Sequence, residues 1–446
     1  MGFGIIFEVV AIVAVYFLLR LPYMQHLPRG IDAHFHLLAA SKFKRGRPPK
    51  SLDRFAVGDN YAHPPLLHFL LSFIPEQVRP QALLILGSAA DCGTALLTYF
   101  LAQRYVPEPY PFIAAILYSI TPASYLQSVS QSARPLGSLW YNLSIILLLQ
   151  NSPIAMTLAS VAVALTLLSH KMATQTLLFT CLLISPVLFI VNNLFPLVLV
   201  FGLGLVLLLT KGGYVVTLKD HVAYLKFHFK HGSWDRGRKS PDSPTKLLKF
   251  QPFFYIPIFG LLFHSQVLLQ ATLILAWYIA ILAIFFIWLW GDGYRYLSYS
   301  VLPTSLLSAQ AMYAGLNTLV IVPALAVSVL VIGKNLSVGS PVWPDFSKIH
   351  VPTDSVTLVM PSSCGYISAR NLNGRVLWGG GNAESVVFEL GTLPKIMSTV
   401  PNDLIEKYHV THILLGPKNL DFIKPIEDRF EKIVETNGYV LFKRKH

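Results

Sequence analysis

The residues of this 446-residue chain best suited to chemistry stand just after its first apolar run. Gly30-Ile31-Asp32-Ala33-His34-Phe35-His36 is followed, after a basic stretch, by Tyr61-Ala62-His63-Pro64-Pro65-Leu66-Leu67-His68. An aspartate immediately outside a membrane helix can take a proton from an acceptor hydroxyl as general base, or organise a cation. Asp32 with His34, His36 and His63 offers the oxygen and imidazole donors that suit Zn²⁺ or Mn²⁺. A weakly held divalent cation, Mg²⁺ or Mn²⁺, would assist a phosphate leaving group. Asp-x-His-x-His is not the spacing of a helical or finger metal motif, so Asp32, His34 and His36 form at most a weak metal set. The unreactive alternative is an interfacial helix whose acid pairs with a nearby Lys or Arg.

A second group is basic. Arg134, Lys171 and Arg295 each sit at the end of an apolar run. A charge inside the bilayer is expensive, so such a side chain either snorkels to the head groups or turns into a polar cavity where a phosphate or pyrophosphate pairs with it. Asp292, in Gly291-Asp292-Gly293-Tyr294-Arg295, either caps the next helix or partners Arg295. Asp91 falls in mid-span and reads as a structural acid, accepting from Ser88, Thr94 or a neighbouring helix. Trp378-Gly379-Gly380-Gly381-Asn382 lacks the order of a phosphate-binding glycine loop and reads as a surface turn.

The elements that must position these residues follow from composition. The chain is 54% hydrophobic and only 13% charged, with a mean hydropathy of +0.55, about half the charge of an ordinary soluble protein. That excludes a cytosolic enzyme. Residues 1–340 hold 23 Lys and Arg against 11 Asp and Glu, whereas residues 341–446 hold 12 against 11. The chain therefore divides into a polytopic membrane part, 1–340, and a soluble part, 341–446. Seventeen of the 23 cations lie in residues 20–63 and 211–251, a placement that suits anionic membrane lipids, and no aromatic-and-basic module for nucleic acid accompanies them.

A bilayer core of about 30 Å requires roughly 20 apolar residues in a helix. That ruler gives eleven spans, near 4–21, 81–103, 110–127, 135–150, 153–169, 173–191, 194–210, 252–270, 271–290, 300–316 and 317–334. The apolar stretch 64–75 is short and proline-bounded, so it reads as interfacial or re-entrant. Eleven spans put both basic loops, Arg134, Lys171, Arg295 and the soluble part on one membrane face. In the soluble part, 355–360, 375–378, 411–415 and 439–442 read as strands, with helical pieces near 401–408 and 421–435, together a small α/β domain. Cys92, Cys181 and Cys364 have neither metal nor disulfide spacing.

Taken together, these segments resemble the membrane glycosyltransferases of the GT-C superfamily, the group that includes protein O-mannosyltransferases and lipid A aminoarabinose transferases. The resemblance rests on the acid-bearing loop after the first helix, the Pro64-Pro65-Leu66-Leu67 segment and the helix containing Asp91-Cys92-Gly93-Thr94. It continues through Ser119-Ile120-Thr121-Pro122, Ser132-Ala133-Arg134-Pro135, Ser169-His170-Lys171 and Arg295-Tyr296-Leu297, and ends in the α/β tail. It implies a multi-pass integral membrane enzyme that moves a sugar from a polyprenyl-phosphate donor to a glycan, lipid or protein acceptor at the outer membrane face. Asp32 would be catalytic base or cation organiser, with His34, His36 and His63 as neighbours, and Arg134, Lys171 and Arg295 would hold the donor phosphate. The chain departs from many relatives in having one acid where they have two adjacent ones, and no acid between Ser138 and Asn142. The positive-inside rule would place the basic loops in the cytoplasm, whereas the resemblance places them, and the C-terminal domain, outside. From residues alone, the rival reading is a non-enzymatic transporter or assembly factor with a soluble tail.

Overall fold

The computed structural model describes residues 2–25, 27–28, 30–44, 47–150, 152–231, 244–286, 293–338, 346, 349–361, 364–378, 382–385, 387–388 and 402–445. Its chain forms two compact units: Met1–Leu27, Gln81–Val215 and His231–Ser340 make the first, and Pro28–Pro80, Val216–Lys230 and Pro341–His446 make the second. The division expected at 340/341 is one of these boundaries, but the second unit also takes in residues 28–80 and 216–230.

The helices are, in order, α1 Gly2–Leu18, α2 Ile31–Lys42, α3 Leu66–Ser72, α4 Arg79–Ala102, α5 Tyr110–Ile120, α6 Pro122–Val129, α7 Arg134–Leu148, α8 Pro153–Ser169 and α9 Lys171–Leu183. They continue with α10 Ser185–Val191, α11 Phe195–Leu209, α12 Tyr214–His231, α13 Pro244–Phe250, α14 Tyr255–Leu269, α15 Thr272–Phe286, α16 Val301–Tyr313 and α17 Val322–Val338. Among the described residues, four helical stretches are long and apolar enough to cross a membrane: Gly4–Tyr23, Glu76–Ala102, Pro252–Leu269 and Thr318–Ser337. Two bent pairs, α5 with α6 at 56° and α9 with α10 at 74°, raise the number to as many as six if each pair is counted as one span. The expected count of about eleven is not confirmed. Proline explains part of the difference, because Pro122 and Pro186 each stand in the first turn of a new helix, where the ring fits but a continuing helix would lose a backbone bond. The helix in 64–75, α3, has seven residues, about 10 Å of rise, and is too short to cross.

The first unit is held by one buried ion pair. Asp91, fully buried on α4, accepts hydrogen bonds from Tyr16 Oη at 2.5 Å, Tyr118 Oη at 2.6 Å and Ser124 Oγ at 2.8 Å, and Arg20 Nη2 lies 3.4 Å from it. Arg20 in turn donates from Nε to Ser128 Oγ at 2.7 Å and from Nη1 to the Tyr16 carbonyl at 3.0 Å, and its guanidinium lies 3.4 Å from the centre of the Tyr16 ring. Asp91 is thus the structural acid its mid-span position suggests, but its partners come from α1, α5 and α6 rather than from Ser88 or Thr94. Arg20, counted with the basic loop, is instead 2% exposed.

The second unit is a five-stranded sheet with helices. Strands β1 Val356–Met360, β2 Arg375–Val376, β3 His412–Leu415, β4 Phe430–Thr436 and β5 Tyr439–Arg444 run in the order β2-β1-β3-β5-β4. β1 pairs parallel with β2 and β3, and the other pairings are antiparallel. Between β1 and β2 lies α18, Gly365–Asn371, and before β3 lies α19, Asn402–Lys407. The helix expected over 421–435 is instead a 3₁₀ helix, Pro417–Ile426, followed by β4. The reason is the Asn437-Gly438 turn, with φ of +50° and +75°, which folds β4 back on β5 in the two-residue hairpin that Asn-Gly favours.

Residues far from the tail complete this sheet. Ala56 N and Val57 N donate to the Val376 and Leu377 carbonyls, and Val376 N donates to the Arg54 carbonyl, so 54–57 extends the edge beside β2. Phe35, Leu38, Phe43, Leu52 and Phe55 share one buried cluster with Val359, Ile367 and Leu414. Burying such side chains contributes about 1.5–3 kcal/mol each, so the tail lacks much of its core without 28–80. Expressed alone, 341–446 should therefore be poorly soluble, whereas a fusion of 28–80 to 341–446 should be soluble with cooperative thermal unfolding by circular dichroism. In the first unit, Asp91→Asn should destabilise the full chain in detergent by about 3–5 kcal/mol, because it leaves Arg20 buried without its countercharge. Thermal unfolding checks this, and adding Arg20→Met should restore part of the loss.

Candidate functional site

The sequence-selected residues fall in both units. Asp32, His34, His36 and His63 belong to the second; Arg134, Lys171 and Arg295 belong to the first. Asp292 and Gly379 to Gly381 lie outside the described residues.

The segment expected as an acid-bearing loop is helical from Ile31 on, with Gly30 as N-cap. Asp32 occupies the first turn of α2, where the macrodipole favours a carboxylate, and its side chain is exposed. Helical spacing decides the metal question. Residues two apart lie roughly 200° round a helix of 3.6 residues per turn, so Asp32 and His34 cannot converge, nor can His34 and His36. Among the described residues, no group of three or more His, Cys, Asp or Glu is placed to hold a metal ion. The set Asp32, His34 and His36 therefore does not fit a metal.

Instead, His36, His63 and His68 enter a buried aromatic cluster. His36 Nδ1 lies 2.8 Å from His68 Nε2, and His68 Nδ1 lies 2.6 Å from Tyr61 Oη. Phe35 packs its ring 4.3 Å from that of His63 and 5.3 Å from that of Tyr366. Burial, and secondarily the neighbouring His36, holds the His68 pKa well below the ordinary imidazole value, and burial raises that of Tyr61 well above the ordinary phenol. His34 is lowered to about 4, first by burial and then by the Arg370 charge on α18. All three are neutral near pH 7. His68 and Tyr61 are not among the candidates that the sequence marks; the available signal is a fourth histidine, five residues after His63, on an apolar helix where solvation gives no reason for it.

In the first unit, Arg134 is the first residue of α7 and Lys171 the first of α9. These two helix starts are adjacent. A β-carbon placed on Gly137 would lie 2.8 Å from His170 Cβ and 2.9 Å from Ala173 Cβ, so only glycine lets the opening turn of α7 pack this closely on the junction of α8 and α9. The 3₁₀ helix Gly293–Ser300, which carries Arg295, packs against both: Tyr296 Oη donates to Gln175 Oε1 of α9 at 2.8 Å, and the Tyr299 ring lies 5.1 Å from that of Tyr141 on α7. Both helices thus begin with a cation at the end where the macrodipole favours an anion. Ala133, the N-cap of α7, has no side-chain acceptor for the free backbone N–H groups. The start of α9 is capped by His170, whose Nδ1 accepts from Met172 N at 3.2 Å, and Arg134 N lies 3.4 Å from Ser132 Oγ. What suits an anion here is therefore the pair of guanidinium and ammonium groups with the remaining α7 N–H groups.

No protein-family model matches the sequence, and no curated protein sequence matches it significantly. Solved structures do match. The apo crystal structure of ArnT from Cupriavidus metallidurans superposes with a TM-score of 0.60 at 13% identity, covering 97% of this chain and 97% of that one. The same protein bound to undecaprenyl phosphate gives 0.61 at 12% identity, covering 99% and 98%. The oligosaccharyltransferase AglB from Archaeoglobus fulgidus, in complex with an inhibitory peptide and a dolichol-phosphate, gives 0.58 at 13% identity, covering 100% of this chain and 75% of that one. A crystal structure of the Archaeoglobus fulgidus oligosaccharyltransferase contains Zn and sulfate. ArnT and AglB are membrane glycosyltransferases of the GT-C superfamily. The chain has the GT-C fold.

Proposed function

We propose that the protein is a multi-pass membrane glycosyltransferase that moves a sugar from a polyprenyl-phosphate carrier to a glycan, lipid or protein acceptor at the outer membrane face, with its C-terminal unit extracytoplasmic. The observation that carries the reading is the packing of two cation-headed helix starts, α7 and α9, against the element bearing Arg295, within a fold whose solved examples include complexes with undecaprenyl phosphate and dolichol-phosphate.

The chemistry follows from the groups. The acceptor oxygen attacks the anomeric carbon, the bond from that carbon to the phosphate oxygen breaks, and the configuration inverts. Asp32 takes the acceptor proton as general base, and its place in an exposed first turn of α2 leaves it open to solvent and substrate. The departing lipid phosphate gains negative charge, which Arg134, Lys171, Arg295 and the α7 N–H groups stabilise by charge-assisted hydrogen bonds. In this orientation Asn335-Leu336-Ser337, at the end of α17, faces the compartment in which such a sequon is used.

Two variants test the roles. Asp32→Asn should lower turnover with a polyprenyl-phosphate sugar by on the order of a hundredfold or more, with donor binding retained; near-normal turnover in a radiolabelled-sugar assay would remove Asp32 from the mechanism. Arg295→Ala should lower kcat/KM for the donor by on the order of tenfold to a hundredfold, the loss of one charge-assisted hydrogen bond. Arg104→Ala, at an exposed turn beyond α4, should change it little. Equal, small effects would make Arg295 a head-group anchor.

A further inference from the structure

Among the buried groups of the first unit, three uncharged side chains on neighbouring elements keep hydrogen-bonding capacity that no described residue takes up. Gln127, on α6 and 6% exposed, has a partner for neither its amide oxygen nor its amide nitrogen. Gln251, immediately after α13 and fully buried, donates from Nε2 to Ser300 Oγ at 3.1 Å. The one proton of that hydroxyl goes to the Leu297 carbonyl at 2.8 Å, so Ser300 can only accept from Gln251, and Gln251 Oε1 is left unpaired. Tyr299, whose ring packs on that of Tyr141, is 1% exposed and its Oη is likewise unpaired. Enclosing a polar group without a partner is unfavourable, and three on elements that pack together need a physical reason.

All three stand by the head of α7. A line of hydrogen bonds joins Gln127 to it: Ser130 Oγ donates to the Gln127 carbonyl at 2.8 Å and lies 3.0 Å from Ser132 Oγ, which accepts from Arg134 N at 3.4 Å. On α6, Ser124 and Ser128 turn to Asp91 and Arg20, while Tyr125, Leu126 and Val129 pack with Tyr23 and Ile332. Gln127 is left on a third face. Besides α5 and α17, the elements packed on α6 are α7, α13 and the 3₁₀ helix Gly293–Ser300, and the buried amide is left to these. Tyr299 belongs to that 3₁₀ helix, which Gln251 and the stacked rings of Phe250 and Tyr294, 5.2 Å apart, hold to α13. Tyr141, on which Tyr299 packs, is two turns from Arg134 on one face of α7.

We propose that Gln127, Gln251 and Tyr299 bind the hydroxyl groups of the sugar on the donor phosphate and so select an uncharged sugar. The chemistry of the groups decides this. A phosphate requires cations and an isoprenoid tail requires apolar walls, whereas amides and a phenol match hydroxyls, each of which both donates and accepts. The sugar is also the part of the donor bonded directly to the phosphate, so it lies next to the cations that hold that phosphate. A site built to hydrogen-bond hydroxyls rejects a ligand that lacks them, because its own buried groups then stay unpaired. The proposal rests on the reading of Arg134 and Arg295 as holders of the donor phosphate.

The test measures binding to the full-length protein in detergent micelles, with probes built on one prenol chain: its mannosyl, glucosyl and galactosyl phosphodiesters, and its methyl phosphodiester, which has the same charge and no sugar. At least one hexosyl probe should bind on the order of tenfold more tightly than the methyl probe. Gln127→Met, which keeps the side-chain length and removes the amide, and Tyr299→Phe should each cut that advantage by about threefold to tenfold and leave methyl-probe binding within about twofold. Because the Gln127 amide is unpaired in the protein alone, Gln127→Met should also keep or raise the midpoint of thermal unfolding. A lowered midpoint would make the amide a structural group and overturn the proposal. Equal affinity of the wild type for all the probes, or an advantage kept in either variant, would overturn it as well. Arg295→Ala separates the two readings. If it weakens methyl-probe binding while the wild type shows no hexosyl advantage, the phosphate site stands and the sugar site falls; unchanged methyl-probe binding removes the phosphate site and this proposal with it.

Discussion

An arginine and an aspartate, each fully enclosed, fix the first unit. Arg20 and Asp91 are 71 residues apart, and neither is tolerable alone in an apolar bundle, where a lone charge costs several kcal/mol. Together they satisfy one another through a shell of hydroxyls: Tyr16 from α1, Tyr118 from α5, and Ser124 and Ser128 from α6. Four helices must therefore meet at one point in one register. Apolar packing between lipid-compatible helices is permissive of sliding; a convergent polar cluster is not. The Pro122 break between α5 and α6 belongs to this arrangement, because the 56° bend lets Tyr118 and Ser124, on either side of it, reach the same carboxylate.

The second unit obeys a different constraint. A five-stranded sheet must cover its apolar faces, and the C-terminal segment does not supply enough to do so. Phe35, Leu38, Phe43 and Phe55, from between the first and second long apolar stretches, fill one face, and 54–57 lengthens the edge at β2. Asp32 and His36 therefore lie on a helix anchored to the sheet by its own buried side, which suits the general-base role proposed for Asp32, since a base must be held within hydrogen-bond reach of the proton it takes. The same anchoring encloses His68 and Tyr61 and removes them from water.

Electrostatics separates the two sets of candidate groups by character. In the second unit burial keeps His34 and His68 uncharged and Tyr61 protonated. At the starts of α7 and α9 fixed cations and helix dipoles add to one sign. An anion is best held where cations accumulate. The division of labour proposed for sugar transfer uses both environments.

Much was legible in the residues. The low charge density announced a membrane body, four of the strands followed from alternation and β-branched content, and Asp91 was recognisable as structural because an intramembrane acid must find partners. What the sequence could not supply was which partners: Arg20 looked like loop charge, and only the tertiary arrangement carries it inside to Asp91. Asp32, His34 and His36 do not converge as a set for a local reason, since a spacing of two diverges on a helix. Phe430 to Glu435, strand in β4, has weak periodicity in the sequence, whereas the Asn437-Gly438 turn is plain in it. The membership of 28–80 in the soluble unit was beyond any local signal. Periodicity determines which face of a segment is apolar; which distant face it will cover is decided only when the chain closes on itself, because burial is non-directional and any apolar surface of matching shape satisfies it equally.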